Sequence, residues 1–227
     1  MRTSILTILA YFVMCSVGYA SDVYITQSGA SLTANINQDG QTNKFGVTGT
    51  VVTLTGDNQT FDIDQIGNTN TIAASVVGAT QTLTLRQEGN SNTSTVTVGS
   101  NSAADDNSII QTLTGSSNTT TVNVGTSAAS GDADIDLVAT GSSNTVTINE
   151  NSTATMVGSD KKVTSVTLIG SSNTVTSTHT GAADQDTTLH HTGASSTFAI
   201  TQGGAHDGST VITTVGSAHN VTVTMDD

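Results

Sequence analysis

The sequence predicts an all-β fold, a β-solenoid of about seven to eight strand-turn-strand rungs forming two parallel in-register sheets. Three observations predict it: a tetrapeptide Gly-x-x-Asn recurs along the chain, residue classes alternate with period two on both sides of each copy, and proline and tryptophan are absent.

The tetrapeptide runs from Gly40 to Asn43, Gly67 to Asn70, Gly89 to Asn92, Gly115 to Asn118, Gly141 to Asn144 and Gly170 to Asn173, with diverged copies from Gly193 to Ser196 and Gly216 to His219. Successive glycines are 27, 22, 26, 26, 29, 23 and 23 residues apart, so the unit is about 22 residues with insertions.

Alternation defines a strand on each side of the turn. Ahead of it the inward positions are Ile36 and Gln38, Ile63 and Gln65, Leu85 and Gln87, Leu137 and Ala139, and Val166 and Leu168. Behind it the inward series starts at the Asn: Asn70, Ile72, Ala74 and Val76, then Asn92, Ser94, Val96 and Val98, with the frame carried to Phe198 and Ile200 and to Val221, Val223 and Met225. The residues between are mostly Thr, Asn, Asp and Ser and face water. A second turn often carries its own glycine, as at Gly56, Gly78, Gly125, Gly158 and Gly181.

One such unit cannot bury its apolar faces alone. Stacking at about 4.8 Å per rung pairs like strand with like strand and closes the sheets on a thin core, a rod on the order of 35 Å long. The inward amides then partner one another, each Asn or Gln donating to one rung and accepting from the next, which also sets register. Glycine at the corner is expected to supply a positive φ. Proline would delete a ladder donor, which fits its absence. The insertions, Ser100 to Asn107, Thr126 to Asp132 and Asn149 to Lys162, fall between one rung and the next, on one edge of the rod.

Residues 1–20 carry Arg2, an apolar run from Ile5 to Val17 and the small residues Gly18 and Ala20, the pattern of a cleaved secretory signal, which leaves 21–227 as a single repeat domain. The run is shorter than the roughly 20 residues of a membrane span. Phe12, Val13 and Met14 ahead of Cys15 make a poor lipidation site. Without that segment the chain has no cysteine, so disulfides and thiolate metal sites drop out. The net charge of −13 argues against nucleic acid as a partner, since phosphate contacts need Lys and Arg. The polar, aromatic-poor composition also suits a disordered chain; the periodicity decides against that.

Four turns, Gln27 with Gly29, Gln38 with Gly40 and Asn43, Gln65 with Gly67 and Asn70, and Gln87 with Gly89 and Asn92, resemble the curlin repeat of bacterial curli amyloid subunits, Gln-x-Gly-x-x-Asn followed after five residues by a further Gln. The likeness spans residues 21–98. Beyond it Leu113, Ala139, Leu168 and His191 replace the leading Gln, and the trailing Gln survives only at Gln202. The resemblance implies a two-sheet solenoid, secretion to the cell surface or beyond, end-to-end assembly with itself or related subunits into extracellular fibres, and roles in adhesion and biofilm.

Two other readings stay open. Outward Thr-x-Thr runs, such as Thr93, Thr95 and Thr97 or Thr174, Thr176 and Thr178, resemble the arrays of ice-binding solenoids, although threonine is also simply a good exposed strand residue. A viral fibre is the other, against which the leader segment argues. An enzyme is not expected: no nucleophile-elbow motif singles out a serine. Of the five histidines, His179, His191 and His219 fall on inward ladder positions, while His190 and His206 do not. No cofactor is implied. Asp132, Asp134 and Asp136 form the one candidate calcium site, without the Gly and Glu that complete an EF-hand.

Overall fold

A computed structural model of the chain describes residues 11–15, 21–23, 25–29, 31–40, 43–46, 52–67, 69–78, 80–89, 91–99, 107–115, 117–125, 133–151, 161–181, 184–203 and 208–226. Every regular element among them is a strand. In chain order these are β1 (Tyr11–Cys15), β2 (Ser21–Val23), β3 (Thr26–Ser28), β4 (Thr33–Asp39), β5 (Asn43–Phe45), β6 (Val52–Thr55) and β7 (Gln59–Ile66). Next come β8 (Thr69–Val77), β9 (Gln81–Glu88), β10 (Ser91–Val98), β11 (Asn107–Thr114), β12 (Ser117–Val124), β13 (Ala133–Thr140) and β14 (Ser143–Asn151). The last are β15 (Lys161–Ile169), β16 (Thr174–Thr180), β17 (Asp184–Ala194), β18 (Thr197–Gly203), β19 (Gly208–Ser217) and β20 (Asn220–Asp226).

From β7 onward, strands that follow one another in the chain lie in opposite sheets. Sheet A runs β1-β4-β7-β9-β11-β13-β15-β17-β19 and sheet B runs β2-β5-β8-β10-β12-β14-β16-β18-β20, with β6 joining β3 to β8. All pairing is parallel, and the repeat aligns with itself: Asn92 stands on Asn70 and beneath Asn118, and Gln65 stands between Gln38 and Gln87. The fold is therefore the predicted β-solenoid. It has about six complete turns, slightly fewer than the repeat count suggests. At the N-terminal end β2, β3 and β5 are only three residues long, and the β19/β20 rung has a neighbour on one side only.

Period-two alternation is the reason these residues take this form. Ile63, Leu85, Leu137 and Val166 from sheet A, and Ile72, Val96, Val122, Val146 and Phe198 from sheet B, are all buried in one continuous core. Their neighbours along each strand point outward. At about 25 cal/mol per Å² of apolar surface buried, this shared core is what makes stacked rungs stable when single ones are not.

Val221, Val223 and Met225 depart from the inward frame in one respect. They are 44%, 41% and 52% exposed, because no rung covers β20. The insertions are also shorter than expected. Asn107 already belongs to β11, Asn149 to β14, and Lys161 and Lys162 to β15, since backbone pairing with the neighbouring rung extends the strands.

Corner glycines do something the expected φ does not capture. At Gly141 the backbone is not in the positive-φ region, yet a Cβ there would lie 2.1 Å from the Gly115 carbonyl oxygen. The corners stack glycine on glycine, so the absent side chain makes room for the next rung. Gly170, at φ 136°, needs both the space and the conformation.

Candidate functional site

Four constellations arise from this stacking: the amide ladders of the first corner, a polar line through the C-terminal half of the core, and two unlike outer faces.

At the first corner Gln65 Nε2 donates to Gln38 Oε1 at 2.6 Å and Gln87 Nε2 to Gln65 Oε1 at 2.9 Å. The same amides reach across the turn to sheet B, onto the carbonyls of Lys44, Thr71 and Thr93. Beside them, Asn70 donates to Asn43 at 3.0 Å and Asn92 to Asn70 at 2.6 Å. Further along, the direction reverses: Asn118 donates to Asn144 at 2.6 Å and Asn144 to Asn173 at 2.7 Å. Between the two runs, the Oδ1 atoms of Asn92 and Asn118 have no donor. The reversal falls where the glutamine line ends, at Leu113 on Gln87. Gln27 is not on that line; its strand β3 places it opposite Leu54 of β6.

The second corner also stacks buried glutamines, but without a ladder between them: the Gln59 amide nitrogen and oxygen have no hydrogen-bond partner. Gln59 and Gln81 are buried and in register, with Gln81 Nε2 donating to the Gly56 carbonyl at 3.0 Å and Gly78 stacked on Gly56. Gly56-x-x-Gln59 and Gly78-x-x-Gln81 share the spacing of the first corner, with Gln in place of Asn, which is the signal in the sequence for this second turn.

The polar line starts at Glu150, a residue the repeat frame did not single out. It occupies the inward phase after Asn144, Val146 and Ile148, in register between Val124 and His179. Its Oε1 accepts from Thr164 at 2.8 Å, and its Oε2 lies 2.9 Å from His179 Nδ1. With Nδ1–H donating to the carboxylate, His179 Nε2 accepts from Ser177 at 2.7 Å and from Thr187 at 3.1 Å. Gln202 Nε2 donates to Thr187 at 3.2 Å, and Thr210 donates to Gln202 Oε1 at 2.7 Å. One hydrogen-bonded chain thus runs from Glu150 to the open C-terminal rung. Ser177, His179 and Glu150 have the connectivity of a nucleophilic triad, but each is only 1% exposed, so no substrate atom reaches the serine.

His191 and His219 pack edge to face with ring centroids 4.9 Å apart. His191 Nε2 lies 2.7 Å from Asn173 Nδ2 and 2.9 Å from Ser196 Oγ. Burial holds the His191 pKa below its usual 6.5, partly offset by the Gly170 carbonyl, with the neighbouring His219 adding the smallest lowering effect. His179 and His191 are buried on ladder positions as predicted; His206 lies outside the described residues.

The outer faces differ in charge. Sheet A carries Asp62, Asp64, Arg86, Asp134, Asp136 and Asp186 outward, whereas from β8 to β18 the outer face of sheet B carries no Asp, Glu, Lys or Arg. Asp134 and Asp136 project from β13, in register with Ser108 and Ile110 on one side and Val163 and Ser165 on the other. Asp132 lies outside the described residues, and among those described no group of three His, Cys, Asp or Glu is placed to hold a metal ion. No helix among them is long and apolar enough to cross a membrane.

Compared with models of protein families, with curated proteins and with solved structures, the chain matches none.

Proposed function

We propose that the chain is a secreted structural and adhesive rod that assembles end to end, with itself or with related subunits, into extracellular fibres. The open β19/β20 rung carries this reading. There Val221, Val223 and Met225 present a row of half-exposed apolar side chains at the end of two parallel sheets. An open strand end is a template for a further strand. The in-register repeat means that the first rung of another copy can extend both sheets. The curlin-like turns of residues 21–98 point the same way, as do the sealed core and the acidic outer face, which suit neither catalysis nor nucleic acid.

At the other end β1 lies on β4, so the segment read as a leader covers the N-terminal edge of sheet A while it remains attached. Its removal frees that edge for pairing.

The test is to express the full chain in a secreting host, recover it from the medium, and examine it by electron microscopy and fibre diffraction. Fibres one rod wide with a meridional spacing near ~4.8 Å are the expected result. Material that stays monomeric at high concentration and varied salt, or never leaves the cell, overturns the reading.

A further inference from the structure

The outer face of sheet B is a second surface, chemically unlike the rod's ends. In one row Thr71, Thr93, Thr119, Thr145, Thr174 and Thr197 stand directly on one another over six consecutive rungs. Two further rows run beside it, through Thr95, Thr121, Thr147 and Thr176 and through Thr97 and Thr178. Strand geometry spaces the array at about 4.8 Å between rungs and about 6.6 Å along each strand.

Strand propensity alone does not explain it. Threonine suits any exposed strand position, so propensity would enrich both outer faces alike. Taking three outward positions per strand, threonine fills fifteen of twenty-one on sheet B from β8 to β20, and seven of twenty-one on sheet A from β7 to β19. Six of those sheet A positions are charged and none on sheet B is. From β8 to β18 the acidic residues of the rod are therefore kept off this face.

We infer that this face binds ice. The occupant such a surface fits is uncharged, hydrogen-bonding and periodic in two dimensions. Each threonine offers a hydroxyl that both donates and accepts, beside a methyl that does not compete for water. Its β-branched side chain is stiff at χ1, so the hydroxyls repeat in register rather than wander. The amide ladders and core beneath fix the rungs, so many weak contacts engage together as one multivalent surface at little further entropic cost. A charged side chain would instead hold its own hydration shell, and none interrupts the array.

The test uses the monomeric fraction of the full chain, so it does not depend on fibre formation. Thermal hysteresis and ice-crystal shape are measured for wild type, for Thr119→Lys with Thr145→Lys on sheet B, and for Thr114→Lys with Thr140→Lys, which are register neighbours on the outer face of sheet A. Circular dichroism checks that each is folded. Thr119→Ser with Thr145→Ser removes only two methyls and serves if the lysine pair does not fold. Wild type is expected to shape ice and show hysteresis, the sheet B lysines to abolish both, the serines to weaken them, and the sheet A lysines to leave them intact. Wild type that behaves as buffer overturns the inference, as does equal loss from both faces. A dimer that the sheet B lysines split, without any effect on ice, shows that the face pairs with a second copy and also overturns it.

Discussion

Gly141 separates two reasons for a corner glycine that are usually entangled. Its φ lies outside the left-handed region, so the main obstacle to Gly141→Ala is steric: the methyl would lie 2.1 Å from the Gly115 carbonyl oxygen. Overpacking of that kind costs about 1–3 kcal/mol, and a backbone obstacle puts it at the upper end. Gly203→Ala, where a Cβ meets nothing within 4 Å, is expected to change stability by less than about 0.5 kcal/mol. Urea unfolding of the two variants measures the contrast. His191 supports a pH prediction. Its folded pKa lies below 6.5, so between the two values the unfolded chain binds more protons. The stability it contributes is complete above about pH 6.5, falls as pH drops through the folded pKa, and declines no further below it. Thermal unfolding between neutral and mildly acidic pH should show this decline, and His191→Gln should flatten it.

At the scale of elements, the pairing of β14 with β16 places a carboxylate against an imidazole inside the core. Removing one partner strands the other. Glu150→Leu is expected to cost about 3–5 kcal/mol, and His179→Leu a similar amount. The double variant should recover part of the loss, because the pair is replaced by apolar groups in a valine-lined row. A double-mutant cycle read by urea midpoints decides this, and additive losses would show that the two do not act as a pair. The same line of contacts specifies rung order: a stack slipped by one rung would bury Glu150 opposite a group other than His179. The repeating Asn and Gln ladders by themselves tolerate a slip of a whole repeat.

For the whole molecule, the two ends and the two faces are separable surfaces. Val223→Lys puts a charge on the open rung, where the side chain is 41% exposed, and leaves the enclosed rungs untouched. It should stop fibre growth while shifting the thermal midpoint little, as electron microscopy and calorimetry on the same sample would report. Amide exchange should be fastest in β19 and β20 and slowest between β8 and β16, because the end rung has a neighbour on one side only. Uniform protection along the rod would contradict an open end.

Alternation and repeat spacing are local properties, and from them the sequence alone determined the strand pairs, the inward residues and the corner ladder of Gln38, Gln65, Gln87 and the Asn series. It also determined where the glutamine line stops, because Leu113 and Ala139 cannot continue it. Which strand lies on which is a nonlocal property, and only the tertiary structure decided it. Stacking showed that Gln27 sits beside Leu54, that Gln59 and Gln81 are stacked in register at a second corner, and that the Asn ladder reverses between Asn92 and Asn118. It also brought Glu150 to His179 across 29 residues and left the outer face of sheet B free of acids from β8 to β18. The physical reason is that a period-two pattern states which way a side chain points, whereas its partner depends on how far each connecting loop carries the chain before the next rung is laid down.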